Sequence, residues 1–381
     1  MVKEVSGMMA LDKVRSILVV KLDRVGDFIL ISPFLRGLRK SAPQARIDLV
    51  VAPMSVPLAS LCPYVDGVFS ITIDNQAVNL AGSDAASSEA FISRFKSGFY
   101  DVAVVPRWDH DSYGAGAVAK ASNAGRIFGF SSNSTPIKRR TNEGFDGAFY
   151  TDLLDDPSCA HEVAHNLNLL KFLGGKEDGQ QLEMWTTPDD DAEAMHRIGA
   201  FDRRAPLVAI SPGSSESERI LPISKLCAIL SGVADRIPGV QFAVIGGPSE
   251  IPAAEMLVNR LPACRSWCGD TTLTQHAAML KYCTAAISMC SAPAQMAAAM
   301  DVPIIVFSSH PLDGDPLECP SPERFRPWGT MPSLFIQPDY VLWPCSASCN
   351  AGVPHCIINI PDDRATSSIA EFVTAAHGRP A

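Results

Sequence analysis

The sequence predicts an α/β protein built from two parallel-sheet domains, and three observations carry that prediction. Short apolar runs rich in β-branched residues alternate with stretches of helical periodicity, the signature of a parallel sheet covered on both faces by helices. The pattern occurs twice, on either side of a polar segment, Glu177 to Asp191, that contains Pro188 and three consecutive aspartates. The 381 residues exceed what one ordinary core accommodates, so size alone favours two domains.

Composition narrows the function. Hydrophobic residues make up 47% of the chain, enough to fill two cores, and charged residues only 19%. A formal net charge of −9 argues against nucleic acid as a bulk electrostatic partner. No run of about 18 apolar residues occurs, so no membrane span is expected. Met1-Val-Lys-Glu-Val-Ser-Gly7 lacks the charged-then-apolar pattern of a secretory signal, and a cytoplasmic protein is expected. The eleven cysteines read as buried thiols rather than a disulfide framework; Cys62, Cys159, Cys227 and Cys283 all lie in apolar surroundings.

The first domain opens with a strand, Ile17 to Val20, a polar turn, Asp23-Arg-Val-Gly-Asp27, and a helix that starts close before Pro33 and places Leu30, Phe34, Leu35 and Leu38 on one face. In an open α/β sheet such a turn lies at the carboxyl ends of the strands, where ligands bind. Gly26 beside Asp27 allows that carboxylate into the crevice; the competing role is a helix cap. Further strands follow at Ile47 to Ala52, Gly67 to Ile73 and Val102 to Pro106, with a short helix at Val56 to Leu61. Gly82 to Ala90, small and polar, reads as a loop or helix entry.

Arg107-Trp-Asp-His-Asp111 follows the fourth strand directly. Trp108, Asp109 and His110 at a strand's carboxyl end suit a polyhydroxylated ligand, or form a solvated loop; the Asp-x-Asp pair alone is weak support for a metal. Residues 131 to 148 read as a loop whose basic run, Lys138-Arg-Arg140, meets an anionic ligand or simply solvent. His161-Glu-Val-Ala-His165 reproduces literally the His-Glu-x-x-His spacing of zinc peptidases. A zinc hydrolase would need a third ligand and a cleft that nothing nearby suggests, and the segment reads as a helix stopped by Gly174.

The second domain begins with the strand Leu207 to Ser211 and Pro212-Gly-Ser-Ser215, where backbone N–H and hydroxyl donors can cradle a phosphate. Arg219 follows closely and adds positive charge. Neither a Walker loop nor a Gly-x-Gly-x-x-Gly turn is present. A helix from Pro222 to Arg236 leads to the strand Val240 to Ile245 and the turn Gly246-Gly-Pro-Ser-Glu250, where Glu250 is placed either to hold a ribose hydroxyl pair or to charge a helix N-terminus. After the helix Thr271 to Leu280, the strand Ala285 to Ser288 enters Met289-Cys-Ser-Ala-Pro-Ala-Gln295 and an alanine-rich helix, Met296 to Met300; Val302 to Phe307 is the next strand. Pro344 to Cys356 holds Cys345, Cys349, Cys356 and His355, either free thiols or three sulfur ligands of a metal. Ser367 to Ala376 forms a last amphipathic helix.

Taken in order, these motifs resemble glycosyltransferase family 9, the ADP-heptose:lipopolysaccharide heptosyltransferases. Val25-Gly-Asp-Phe-Ile-Leu-Ile-Ser-Pro-Phe-Leu-Arg36 is similar to the family's opening signature, Pro212-Gly-Ser-Ser and Arg219-Ile-Leu-Pro222 to its Pro-Gly-Ser and Lys-x-Trp-Pro elements, and Gly246-Gly-Pro-Ser-Glu250 to its Gly-Gly-x-x-Glu. Arg219 stands in place of lysine, and Cys290-Ser-Ala-Pro-Ala-Gln295 in place of the family's Asp-Ser-Gly-Pro-x-His.

The resemblance implies a GT-B fold, two Rossmann-like domains facing each other across a cleft: an acceptor domain over 1–180, a nucleotide-sugar domain over 190–345, and a tail over 346–381 whose helix returns toward the first domain. It implies an inverting, metal-independent transfer of a sugar, heptose foremost, from a nucleotide diphosphate to a glycolipid or glycan hydroxyl in lipopolysaccharide biosynthesis. No cofactor would be required beyond the ADP-heptose-like donor, and contact with the inner membrane surface would be peripheral. Asp27 would be the general base, with Gly26 beside it and Asp109 near the acceptor. Gly213, Ser214, Ser215 and Arg219 would stabilise the departing diphosphate, Gly247 and Glu250 would hold the nucleoside, and Ser291 and Gln295 would contact phosphate or sugar. The Cys290 and Gln295 replacements raise the alternative of a non-catalytic binding or scaffold protein on the same fold.

Overall fold

The computed structural model describes residues 9–74, 77–82, 92–141, 148–343, 345 and 351–378. It divides at Glu183/Met184 into two units, each with its own sheet.

Among the described residues, the first unit holds seven strands: β1 (Ser16–Lys21), β2 (Arg46–Val51), β3 (Gly67–Asp74), β4 (Ala77–Gly82), β5 (Val102–Val104), β6 (Arg126–Phe130) and β7 (Asp152–Leu154). They lie in the order β4-β3-β2-β1-β5-β6-β7, and all pair in parallel except the β3–β4 hairpin. Ile17, Leu18, Val19 and Val20 are completely buried, so both faces of β1 are covered, as its unbroken apolar run requires. Tyr100, Phe69 and Val50 pack with Leu18 and Val20 on one face. The order reverses between β1 and β5: β2 lies on one side of β1, and β5, reached only after β3 and β4, on the other. This is the topological switch point, where a doubly wound sheet opens a crevice at its carboxyl edge.

Several elements differ from the sequence expectation. The helix near Pro33 is two helices, Val25–Ile29 and Ser32–Ser41, because the Ser32 hydroxyl donates to the Ile29 carbonyl and Pro33 can sit only in the first turn of the second. The basic run Lys138-Arg-Arg140 is not loop but part of a helix, Pro136–Thr141. The polar segment Glu177 to Asp191 holds the boundary between the units, and its triple aspartate is helical. That run opens the helix Pro188–Ile198, where Thr187 and Asp190 cap each other and three carboxylates meet the positive end of the helix dipole. The segment 83–90 lies outside the described residues.

The second unit has, among its described residues, six parallel strands: β8 (Leu207–Ser211), β9 (Gln241–Val244), β10 (Cys264–Ser266), β11 (Ala285–Met289), β12 (Ile304–Phe307) and β13 (Ser333–Ile336), ordered β10-β9-β8-β11-β12-β13. Its switch point falls between β8 and β11. The last helix, Asp362–His377, is longer than its apolar stripe suggested and packs on Ile223–Arg236, burying Ile369 and Val373 with Ile229, Leu230 and Val233. Its apolar stripe thus belongs to the second unit's own core. Gly232 permits that approach, since a Cβ there would lie 2.9 Å from the Thr366 methyl. Among the described residues, no helix is long and apolar enough to cross a membrane.

Candidate functional site

Each switch point gathers polar groups at the carboxyl ends of its strands. In the first unit, β1 ends on Lys21 and runs into Leu22-Asp-Arg-Val-Gly-Asp27, while β5 runs into Val105-Pro-Arg107. Lys21, only 2% exposed, is drawn inward because its ammonium meets the Asp23 carboxylate at 2.9 Å and donates to the Pro106 carbonyl at 2.9 Å. Arg107 Nη1 meets the other Asp23 oxygen at 2.6 Å and stands 3.9 Å from Asp27 Oδ1. A charge out of water persists only when paired in this way.

Asp27 is the third residue of the helix Val25–Ile29; the N-cap is Arg24, so Asp27 is not the cap residue. A fifth of its side chain remains open to solvent. Burial pushes its carboxyl above the usual range, the Asp23 charge pushes the same way, and Lys21 and Arg107 pull only partly against them. Asp23 is shifted down: burial opposes ionisation, but Arg107 and Lys21 outweigh it. Two neighbouring carboxyls are thereby shifted in opposite directions, Asp23 down and Asp27 up. Lys21, Asp23 and Arg107 were not singled out for this role by the sequence reading. Their signal was charge at the last position of one strand and just beyond another.

The segment after β5 is divided. Trp108 cannot stack on a ligand, because it is fully buried, donates from Nε1 to the Asp156 carbonyl at 2.7 Å and stacks on His165 at 4.1 Å. Asp111 caps the following helix by accepting from Gly116 N at 2.8 Å. Asp109 is half-buried and accepts from the His110 amide at 2.7 Å. His161 and His165 do not converge on a common point. His161 Nδ1 caps its own helix by accepting from Val163 N, and buried His165 pairs through Nδ1 with Asp156 at 2.9 Å. The His165 bond, with Ser158 and Asn168, brings Asp156 down to about 2 against the opposing effect of burial.

In the second unit the loops after β8, β9 and β11 meet. The Ser291 hydroxyl reaches the Gly213 carbonyl at 3.3 Å. Gly247 N–H and the Ser249 hydroxyl each donate to one oxygen of Glu250, at 2.7 Å and 2.7 Å. The Glu250 carboxylate lies so close to the β8 loop that a Cβ on Gly213 would stand 2.5 Å from Oε1. Gly213, Ser214, Ser215, Gly247, Glu250 and Ser291 therefore lie around one switch point, which gathers backbone N–H groups, hydroxyls and a carboxylate. Half-buried Arg219 donates from Nη2 to Cys319 Sγ at 3.5 Å, and among the described residues its Nε has no hydrogen-bond partner. The Cys290 thiol is pushed up to about 12 by burial. Gln295 is buried, and its amide donates to the Phe325 carbonyl at 2.7 Å, so it anchors the end of the short helix Pro322–Phe325.

In the tail, Cys345 and Cys356 sulfurs lie 3.8 and 3.6 Å from His355 Nδ1, whereas Cys349 lies outside the described residues. Among the described residues, no group of three or more His, Cys, Asp or Glu side chains is arranged to hold a metal ion.

Residues 133–313 match the family model of glycosyltransferase family 9 (heptosyltransferase). No curated protein matches in sequence. Among solved structures, a glycosyl transferase family 9 protein from Veillonella parvula DSM 2008 is 17% identical over 97% of this chain and 99% of its own, with a TM-score of 0.71. The E. coli ADP-heptose lps heptosyltransferase II is also 17% identical, over 94% and 99% of the two chains, with a TM-score of 0.66. E. coli heptosyltransferase WaaC, solved with ADP, is 16% identical over 94% and 99%, with a TM-score of 0.65. The two-unit α/β fold is therefore the GT-B fold of those proteins.

Proposed function

We propose that this chain, a glycosyltransferase with a family 9 domain, moves a sugar from a nucleoside diphosphate donor to an alcohol of a glycolipid or glycan, inverting the anomeric centre without a catalytic metal. ADP-heptose is the donor we favour, because the similar WaaC structure contains ADP and the similar heptosyltransferase II is named for ADP-heptose.

In this reading the work divides between the two switch points. Asp27 accepts the proton of the acceptor hydroxyl as its oxygen attacks the anomeric carbon. The bond from that carbon to the diphosphate breaks, and the electron pair leaves with the nucleotide. The N–H groups and hydroxyls of Gly213, Ser214 and Ser215, with Arg219, stabilise the charge that develops on the departing oxygen. A guanidinium serves there as an ammonium would, with a fork added. Gly247 and Glu250 hold the nucleoside, and Ser291 borders the phosphates. The acceptor side would use Gly26 and Asp109, and the chain would act at the cytoplasmic face of the inner membrane.

The observation that carries this reading is Asp27 itself: a partly open carboxylate at a switch point, raised above the usual range by burial and a neighbouring charge. A thermal-shift panel of nucleotide sugars tests the donor half, since a bound donor raises the unfolding temperature by mass action. ADP-heptose should give the largest rise; a panel without any shift would sink the donor assignment.

A further inference from the structure

The charged cluster of the first unit contains more groups than a general base needs. Arg107 is fixed from two sides: Nε donates to the His110 carbonyl at 3.0 Å, and Nη1 meets Asp23 Oδ1 at 2.6 Å. Asp23 is fixed in turn, because its second oxygen is held by Lys21 at 2.9 Å. A guanidinium held this way cannot swing, and it stands 3.9 Å from Asp27 Oδ1. That separation is too long for a hydrogen bond but well within reach of a charge in a desolvated site.

We propose that Arg107 is a positioning residue for Asp27, its guanidinium pinned by Asp23 and the His110 carbonyl so that one positive charge stands 3.9 Å from the reacting carboxylate, and that buried Glu162 opposes it from the helix Glu162–Phe172. This role presupposes Asp27 as the base. It also gives a use to the acid of the His161-Glu-Val-Ala-His165 run, whose two imidazoles are engaged elsewhere.

Asp23 and Lys21 on the β1 side, Arg107 after β5 and Glu162 on the helix all bear on Asp27, and Asp109 bears on Arg107. Burial and the Asp23 and Glu162 charges favour the protonated form of Asp27, and Lys21 and Arg107 favour its carboxylate. Removing the positive arm must favour the protonated form, and removing the negative arm must weaken it. A purely structural Arg107 would produce no such opposed pair of effects.

The test is a titration of the full chain labelled with 13C at aspartate carboxyls, with the Asp27 resonance identified by its absence in Asp27→Asn. The midpoint should move to higher pH in Arg107→Gln, costing about tenfold or more in ionised fraction at a fixed pH below it. It should move to lower pH in Glu162→Gln and stay nearer the original in Arg107→Lys, which keeps the charge and loses the fork. Unmoved midpoints in folded Arg107→Gln and Glu162→Gln would overturn the positioning role. If Arg107→Gln does not fold, Glu162→Gln decides alone: a downward move supports the proposal and an unmoved midpoint overturns it. A failure of the base assignment itself would show differently, as normal sugar transfer by Asp27→Asn.

Discussion

Gly213→Ala probes the second switch point with the smallest possible change. The added methyl would lie 2.5, 2.7 and 2.8 Å from Oε1, Cγ and Cδ of Glu250, so the whole end of that side chain must move. It cannot move freely, because its two oxygens accept from Gly247 N–H and the Ser249 hydroxyl. Releasing a charge-assisted bond of this kind costs about 1.5–3 kcal/mol, and keeping it by overpacking costs about as much. In a unit of this size that is a fall of about 3–12 °C in the unfolding temperature. If Glu250 holds the nucleoside, ADP affinity should fall by about 10- to 100-fold as well. Calorimetric titration with ADP and thermal denaturation read both quantities. A double-mutant cycle isolates the cause, since Glu250→Ala removes every atom that the new methyl would strike. In that background Gly213→Ala should be close to neutral. Full additivity, or wild-type stability and ADP affinity in Gly213→Ala alone, would refute the reasoning.

Two further outcomes follow from the same geometry. Asp156 is held near 2 in the folded state, below an unfolded carboxylate at about 4. A depressed pKa contributes stability that is complete above the unfolded value and disappears as pH falls toward the folded one. Denaturation between pH 5 and 2, on about that interval, should therefore show a shallower acid loss in Asp156→Asn than in the parent chain; identical slopes would contradict the His165 pairing. Exposed Cys319 touches Arg219, whereas buried Cys290 is pushed up to about 12. Iodoacetamide should alkylate Cys319 before Cys290 and weaken ADP binding, as peptide mass mapping and titration would show. Preferential labelling of Cys290, or full ADP affinity after Cys319 is capped, would count against the Arg219 assignment.

The inner strands were legible because a parallel strand buried on both faces leaves an unbroken apolar run, as Ile17 to Val20 and Ile304 to Phe307 do. Outer strands left less trace. In Arg126–Phe130 a glycine interrupts the run, and it is needed because Tyr150 lies where a Cβ on Gly129 would project, 2.4 Å from its ring. Cys264–Ser266 is only three residues long and not fully buried, so neither length nor hydrophobicity betrays it. The phosphate-type loops could be read because glycine and serine at a strand end have few other uses. Gln295 could not, since only coordinates reveal that its amide faces the Phe325 carbonyl. Trp108 misled for a related reason: an aromatic beside acids suits a sugar site, and nothing local signals that Asp156 and His165 enclose it. Burial of ions is the hardest feature to foresee. Lys21 and Arg107 resemble turn residues until the chain brings Asp23 between them.

The most direct measurement is the release of ADP from ADP-heptose by the full chain and by Asp27→Asn, with donor binding measured on both and heptose-bearing glycolipids supplied as acceptors. The account predicts acceptor-dependent release by the parent chain, and in the variant undiminished donor affinity with a rate lower by about 100- to 10,000-fold. Parent-like release by Asp27→Asn would contradict it.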